Sequence, residues 1–253
     1  HRIDVAILHL SKEHSTSYTD AMTVQSTGRR TFFHCRGANA YFDVKHCSFS
    51  KTNARIMHLG YLMLLDRLDS FEGGQTVAAK LLFNARSAGL ETSVDMCSAM
   101  HPEFREIALS ALPMIDHLTI NEIEAGLTVG EVIDPKNSGW LLRTAEQLLS
   151  LGVKQTVTIH TEHGAVCATA DGLRLKQPSL KLPVGYSKGA TGAGDAFAAG
   201  MLYGLHERFE IQERLRLAVC CAAACLQDPT PSKGLRPVKD CLALADQFGF
   251  GEF

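Results

Sequence analysis

A glycine-rich run that leads into apolar residues offers the clearest chemistry in this sequence. Gly192, Ala193 and Gly194 precede Asp195, and an apolar segment follows as far as Gly200. Small residues let an anion approach the backbone, and the first N–H groups of a helix have no partner inside the helix. The helix N-terminus also carries about half an elementary positive charge. We therefore predict a phosphate-binding helix start, with Asp195 in the first turn as a base or as a group that orients a hydroxyl.

The segment Thr191 to Phe197 closely resembles the C-terminal signature of the PfkB carbohydrate kinases, the family of ribokinase. A second block agrees with it, running from Leu112-Pro113 through Asn121 and Glu124 to Gly130. Weaker matches lie at residues 30–39 and 89–95. The blocks follow the family's order and spacing from about Ser15 to about Pro237, which is more specific than any single block.

The resemblance implies ATP-dependent phosphoryl transfer to a hydroxyl group of a small carbohydrate or related substrate. Asp195 would orient the acceptor and take its proton, and Asn39 would also contact the substrate. The N–H groups of Gly192, Ala193 and Gly194 would hold the charge that develops on the transferred group. Glu124 would act on Mg²⁺ through water, since Mg²⁺ usually keeps several waters. The expected ATP-binding residues are Asn121, Gly164, Thr191, Gly192 and Gly194.

Most of these residues also have a structural interpretation. Gly192 to Asp195 could be an ordinary strand-to-helix turn with an acidic cap, and Asn121 with Glu124 could cap a helix. Asn39 follows a glycine and could be a turn residue. Tyr61 could pack on a sugar ring, although a core or rim position is the stronger expectation. His160 and His163, around Gly164, are expected to be loop histidines rather than a metal pair.

The chain departs from the family pattern in two places. Gly189 stands where the family usually has an aspartate of a monovalent-cation site, so the resemblance does not imply activation by potassium. Lys188 could place a positive charge near the phosphates or face solvent. Before Ser15, the first strand, the acidic sugar contact and the Gly-Gly segment of the family are not visible. We expect this chain to be a fragment; loss of half the sugar site is the alternative.

Composition limits the remaining choices. The chain has 253 residues, 45% hydrophobic and 21% charged, with a formal net charge of −2. It is long enough for a full core, and it has neither an apolar run that could span a bilayer nor a basic patch for nucleic acid. The eight cysteines include no C-x-x-C pair. Cys221 and Cys225 are expected to be buried small hydrophobes, and reduced thiols favour the cytoplasm.

Strand and helix patterns alternate along the chain, which is typical of βαβ units. The expected helices include residues 76–87, residues 138–151 with an apolar stripe at Leu141, Leu142, Ala145, Leu148 and Leu149, and residues 238–248. We expect one ribokinase-like α/β domain, a doubly wound, mostly parallel sheet flanked by helices. Residues 15–40 would belong to a small β-lid, with strands Thr16–Val24 and Arg30–His34 joined by a turn at Gln25–Gly28. Because lids of this family often pair, a homodimer is a further expectation.

Two other classes of protein compete with the kinase interpretation. A dinucleotide-binding oxidoreductase needs G-x-G-x-x-G after an early strand, but Gly192-x-Gly194 lies late and lacks the third glycine. No G-x-x-x-x-G-K-[ST] sequence is present, which argues against a P-loop enzyme. A non-catalytic sugar- or nucleotide-binding protein on the same fold remains the main alternative, because fold alone does not decide activity.

Overall fold

The computed structural model describes residues 4–5, 7–24, 30–50 and 52–253. The strands are β1 (Tyr18–Thr23), β2 (Arg30–Cys35), β3 (Ile56–Leu62), β4 (Phe71–Glu72), β5 (Gln75–Thr76), β6 (Glu91–Met96), β7 (His117–Asn121), β8 (Thr156–His160), β9 (Gly164–Thr169) and β10 (Arg174–Pro178). The α-helices are α1 (Asp66–Asp69), α2 (Val77–Ser87), α3 (Phe104–Ala111), α4 (Glu122–Val129), α5 (Ser138–Ser150), α6 (Ala193–His206), α7 (Ile211–Cys225) and α8 (Val238–Phe248).

A six-stranded sheet with the order β10-β9-β8-β7-β6-β3 forms the centre of the fold. Strands β3, β6, β7 and β8 run parallel, while β9 is antiparallel to β8 and β10 to β9. Strands β6 and β7 are buried along nearly their whole length, as expected when helices cover both faces of a parallel sheet. The predicted doubly wound, mostly parallel sheet is confirmed.

Two hydrophobic clusters lie on the two faces of this sheet. Val166 and Ala168 belong to the first cluster, and their neighbours Ala165 and Cys167 belong to the second. Alternate residues of a strand point to opposite faces, so the clusters lie on opposite sides of β9. Helices α2, α3 and α5 contribute to the first cluster, whereas α6, α7 and α8 contribute to the second.

Helices α2 and α8 begin and end close to where local sequence signals predict. The hydroxyl of Thr76 accepts the N–H of Ala79 at 3.2 Å at the start of α2, and Gly89 follows its end with φ +86°. The predicted helix over residues 76–87 is therefore confirmed. Helix α8 has the predicted bounds, and the stripe on α5 is buried at Leu141, Ala145 and Leu148.

The predicted strands at Thr16–Val24 and Arg30–His34 are confirmed as β1 and β2. They pair antiparallel with each other in a two-stranded sheet separate from the central one. The predicted turn at Gln25–Gly28 lies outside the described residues. Among the described helices, none has the length and apolar character needed to cross a bilayer.

The segment after β3 contains elements that no sequence pattern predicted, namely α1 and the short β4–β5 hairpin. The buried carboxylate of Asp69 holds this segment, since it accepts the N–H groups of Met63 at 3.1 Å and Leu65 at 3.0 Å. Met63 has φ +77°, a left-handed conformation that is uncommon outside glycine. The carboxylate therefore holds a sharp bend at the carboxyl end of β3.

Candidate active site

The N-terminus of α6 has open backbone donors. Gly192 caps the helix in a left-handed conformation with φ +81°, and a Cβ there would lie 2.4 Å from the carbonyl oxygen of Pro231. The N–H of Ala193, one of the expected donors, is not free in this structure, since it donates to the oxygen of Ala190 at 3.3 Å; the N–H of Ala196 donates to the oxygen of Gly192 at 2.8 Å. Within the described residues, the N–H groups of Gly194 and Asp195 have no acceptor. The helix start can therefore donate two backbone hydrogen bonds to an anion.

Asp195 lies beside these donors in the first turn of α6. Its side chain can be reached from solvent, while the protein on its other side removes enough water to raise the pKa of the carboxyl. The hydroxyl of Tyr61, from β3, donates a hydrogen bond to Oδ1 of Asp195. A carboxylate that is oriented, accessible and more basic than usual is suited to accept a proton.

His160 connects α6 with the strand that carries Asn121. It is the last residue of β8, and Asn121 is its register partner on β7. A Cβ on Gly194 would lie 3.5 Å from the ring of His160, and the ring centroid lies 4.8 Å from that of Phe197. Burial lowers the pKa of His160 to about 4, so the ring is neutral at pH 7. The α6 N-terminus and Asn121 therefore lie at the same edge of the sheet.

Asn121 and Glu124 form a capping box at the start of α4. Asn121 Oδ1 accepts the N–H of Glu124 at 2.9 Å, and Glu124 Oε2 accepts the N–H of Asn121 at 2.9 Å. Ser98 Oγ donates to Glu124 Oε1 at 2.8 Å. The capping interpretation of this pair is therefore confirmed, whereas contact with ATP or Mg²⁺ stays a prediction.

Asp95 closes the weaker sequence match at residues 89–95, but the sequence alone does not single it out as a candidate site residue. It is buried near the end of β6, and burial followed by the charge of Glu124 raises its pKa to about 8. Burial also raises the pKa of Glu124 to about 7, against hydrogen bonds from Asn121 and Ser98. Neither carboxylate forms an ion pair with a cationic side chain of the described residues. No pattern of residue types signals this pairing, because it arises from the neighbouring positions of β6 and α4.

The two buried carboxylates fit a divalent cation. Mg²⁺ prefers oxygen ligands and compensates negative charges that repel each other. A search of the described residues found no group of three or more His, Cys, Asp or Glu able to hold a metal ion. Glu124 and Asp95 would therefore share Mg²⁺ with oxygen atoms of water or of a nucleotide.

The remaining predicted residues lie in different surroundings. Gly164, at the start of β9, is buried, and a Cβ there would lie 2.5 Å from the oxygen of Gln177. Thr191 precedes the helix cap, and its carbonyl accepts a hydrogen bond from Cys225 Sγ at 3.6 Å. Asn39 is exposed in a short 3₁₀ helix that packs on α1, and the described hydrogen bond of the Asp195 side chain goes to Tyr61 rather than to Asn39. Its role in binding substrate stays a prediction.

Gly189 and Lys188 lie where the chain departs from the family pattern, and the structure shows what surrounds each of them. A Cβ on Gly189 would lie 2.9 Å from Cα of Pro229, so the backbone leaves no room for a larger residue. Lys188 is exposed, and its ammonium donates to the carbonyl oxygen of Gly185 at 2.9 Å. The solvent-facing interpretation of Lys188 is the one that the structure supports.

The chain is similar in sequence and in structure to known kinases. The model of the pfkB family of carbohydrate kinases matches residues 1–236. The structure is similar to an Arabidopsis thaliana ribokinase complexed with ribose and ATP, at 22% identity and a TM-score of 0.70 over 92% of this chain and 70% of that one. It is similar to a Burkholderia thailandensis nucleoside kinase in complex with inosine, at 16% identity and a TM-score of 0.67 over 94% of this chain and 70% of that one.

A third similar structure is the ribokinase of Cryptococcus neoformans in complex with ADP. It has 18% identity and a TM-score of 0.68, over 94% of this chain and 73% of that one. The comparison with curated proteins gave no match. At these identities the solved structures establish a ribokinase-like fold, and the family match covers most of the chain.

Proposed function

Because the chain belongs to the pfkB family of carbohydrate kinases, we propose that it transfers the terminal phosphoryl group of ATP to a hydroxyl of a small carbohydrate or nucleoside. The observation that carries this proposal is the α6 N-terminus, where two open N–H groups stand beside Asp195. Similar folds with bound ribose and ATP, inosine or ADP support both the nucleotide and the class of acceptor.

In the proposed reaction, the acceptor oxygen bonds to the terminal phosphorus as the bond to the bridging oxygen of ADP breaks. Asp195 orients the acceptor and takes its proton, and Tyr61 fixes one oxygen of that carboxylate. The N–H groups at the start of α6 hold the equatorial oxygens of the transferred group. Mg²⁺, when bound beside Glu124 and Asp95, neutralises phosphate charge. Placement and charge neutralisation supply most of the acceleration in such reactions.

The direct test is release of ADP from ATP and Mg²⁺ in the presence of a panel of pentoses, hexoses, nucleosides and sugar acids. We expect at least one acceptor to raise ADP release above the level without acceptor. If ATP binds and no acceptor does so, the alternative of a non-catalytic sugar- or nucleotide-binding protein replaces the kinase. If ATP does not bind either, the whole assignment of the site is wrong.

The remaining expectations belong to the same proposal. The β1–β2 sheet would be a lid over the acceptor and the contact between two subunits, since it exposes Tyr18, Met22 and Phe33 by 57–62%. Sedimentation of the purified protein tests the dimer. If it is a dimer, Tyr18→Ser together with Phe33→Ser should give a monomer.

The cysteine content supports a cytoplasmic location.

A further inference from the structure

A cavity of about 370 Å³ lies at the edge of the sheet opposite Asp195. Glu91, His117 and Thr156, the first residues of β6, β7 and β8, line it. Because parallel strands begin at one edge and end at the other, this cavity is separate from the candidate active site. The end of α6 and the start of α7 close its other side.

Three arginines converge on this cavity: Arg55, Arg208 and Arg214. Arg55 Nη1 donates to the carbonyl oxygen of His206 at 3.0 Å, and Arg214 Nε donates to that of Phe209 at 2.7 Å. A guanidinium has five N–H donors, so both arginines keep donors for a ligand. In the described part of the chain, none of the three arginines forms an ion pair with a carboxylate.

Two of these arginines are held at a cost. Burial lowers the pKa of Arg214, although the charges of Glu91 and Glu210 act in the opposite direction, and no described carboxylate forms an ion pair with it. Arg208 has φ +60°, a left-handed conformation that is strained for a residue with a side chain. An anion in the cavity would offset the lost hydration of the Arg214 charge. The strained backbone holds the position of Arg208.

The wall formed by the sheet has a different character. Burial lowers the pKa of His117, so the ring is neutral at pH 7. Because a carboxylate only accepts, His117 Nε2–H donates to Glu91 at 3.0 Å, and His117 Nδ1 accepts from the Thr156 hydroxyl at 2.9 Å. This chain of hydrogen bonds fixes an acceptor on the wall. The Glu91 carboxylate can accept hydrogen bonds from hydroxyl groups, and its charge repels an anion that approaches this wall.

We propose that this arginine cavity binds a small phosphate monoester whose body carries hydroxyl groups. The phosphate would lie among the three guanidinium groups, which match its oxygens in charge and geometry. The hydroxyl-bearing body would face Glu91, because a bare phosphate leaves most of a 370 Å³ cavity empty. The proposal does not depend on the phosphoryl-transfer reaction, since it uses a different edge of the sheet.

Titration calorimetry with ribose 5-phosphate, inorganic phosphate and ribose tests this proposal. We expect ribose 5-phosphate to bind to a single site, inorganic phosphate to bind more weakly and ribose not to bind there. Arg208→Gly keeps a residue that favours the left-handed backbone, so it should fold and weaken the binding of ribose 5-phosphate about tenfold or more. Arg143→Gln, on the exposed face of α5, removes one positive charge outside the cavity and should leave binding unchanged.

Two further variants make the test specific. Asp195→Asn should keep full affinity for ribose 5-phosphate. Glu91→Gln should reduce the difference in affinity between ribose 5-phosphate and inorganic phosphate. Unchanged binding in Arg208→Gly, or loss of binding in Asp195→Asn, would overturn the proposal, the latter by placing the ester in the active site. Equal affinity for ribose 5-phosphate and inorganic phosphate would overturn the role assigned to Glu91.

Discussion

At the scale of single residues, we expect turnover to depend most on the carboxylate of Asp195. Asp195→Asn keeps the size and the hydrogen bond from Tyr61 but removes the base. We expect turnover to fall by about 10² to 10⁴ while ATP affinity stays within about twofold. Asp240→Asn, the same change in an exposed first turn of α8, is the matched control for steady-state kinetics. Full turnover in Asp195→Asn would remove this residue from the mechanism.

His160 gives a residue-scale prediction about pH. Its pKa is about 4 in the folded protein and 6.5 in the unfolded chain. As pH falls below 6.5, the unfolded chain takes up a proton that the folded protein resists, so the free energy of unfolding falls. The slope from this residue is on the order of 1 kcal/mol per pH unit and vanishes below about pH 4. Above pH 6.5 the residue contributes no pH dependence.

Urea unfolding of the wild type and of His160→Gln at pH 7, 6 and 5 measures this contribution. The variant should lose stability less steeply toward acid than the wild type. Identical pH profiles would show that the ring is protonated as easily in the folded protein as in the unfolded chain.

Sequence reasoning found the residues that lie inside a continuous motif and missed those that depend on tertiary contact. Gly192 to Asp195 could be recognised, because a helix start is built from neighbouring residues. Asp95 could not, because its importance comes from Glu124 on another element. For Tyr61 the stronger expectation from the sequence is a core or rim position, and its hydrogen bond to Asp195 depends on tertiary contact.

At the scale of elements, the start of α6 depends on Gly192. Gly192→Ala meets two penalties, a left-handed backbone and a Cβ that would lie 2.4 Å from the Pro231 oxygen. We expect the helix start to shift, with loss of ATP affinity and a drop in turnover of about 10² or more. Gly172→Ala carries only the first penalty, because Gly172 has φ +95° but no atom lies within 4 Å of a Cβ placed there.

The control variant, Gly172→Ala, should lower the free energy of unfolding by about 1 kcal/mol and leave the affinity for ATP unchanged. Calorimetric titration with ATP and thermal unfolding measure both quantities. Equal ATP affinity in the two variants would contradict the steric argument about Pro231.

Gly189 gives a second prediction about this loop. Gly189→Asp restores the residue type usual in the family, yet the Cβ would lie 2.9 Å from Pro229 Cα. We therefore expect lower thermal stability and no activation of turnover by K⁺ over Na⁺. A stable variant with K⁺-dependent turnover would show that the loop can rearrange.

Long periodic elements were predictable to within a few residues, and α8 to the residue, because their apolar stripes and caps are local. The segment between β3 and α2 was not. Its bend depends on the Asp69 carboxylate at the end of α1, which accepts two backbone N–H groups from the residues just before that helix, a contact that periodicity does not encode.

At the scale of the whole molecule, both hydrophobic clusters rest on the same sheet, so the two faces should unfold together. Leu215→Ala, in α7, should lower the free energy of unfolding by about 2 to 5 kcal/mol. Trp140 is the only tryptophan and packs against the cluster on the other face. Its fluorescence should report the same shifted transition as circular dichroism. A Trp140 transition that stays at the wild-type midpoint would contradict the expectation of one domain.

The alternation of strands and helices made the overall architecture predictable, and the family blocks gave the order of its functional parts. The cavity with three arginines was not predictable, since Arg55 and Arg208 lie more than a hundred residues apart in the sequence. Only the folding of the sheet beneath α6 and α7 brings them together.

The crossing of α6 and α7 has no room for side chains at two points. A Cβ on Gly200 would lie 2.7 Å from Cα of Ala218, and one on Gly204 would lie 2.7 Å from Cγ of Arg214. The two helices therefore pack backbone against backbone, and α6 extends about 20 Å over its 14 residues. Its first turn carries Asp195 and its far end meets the arginine cavity, so one closely packed helix spans the distance between the two places where we expect ligands.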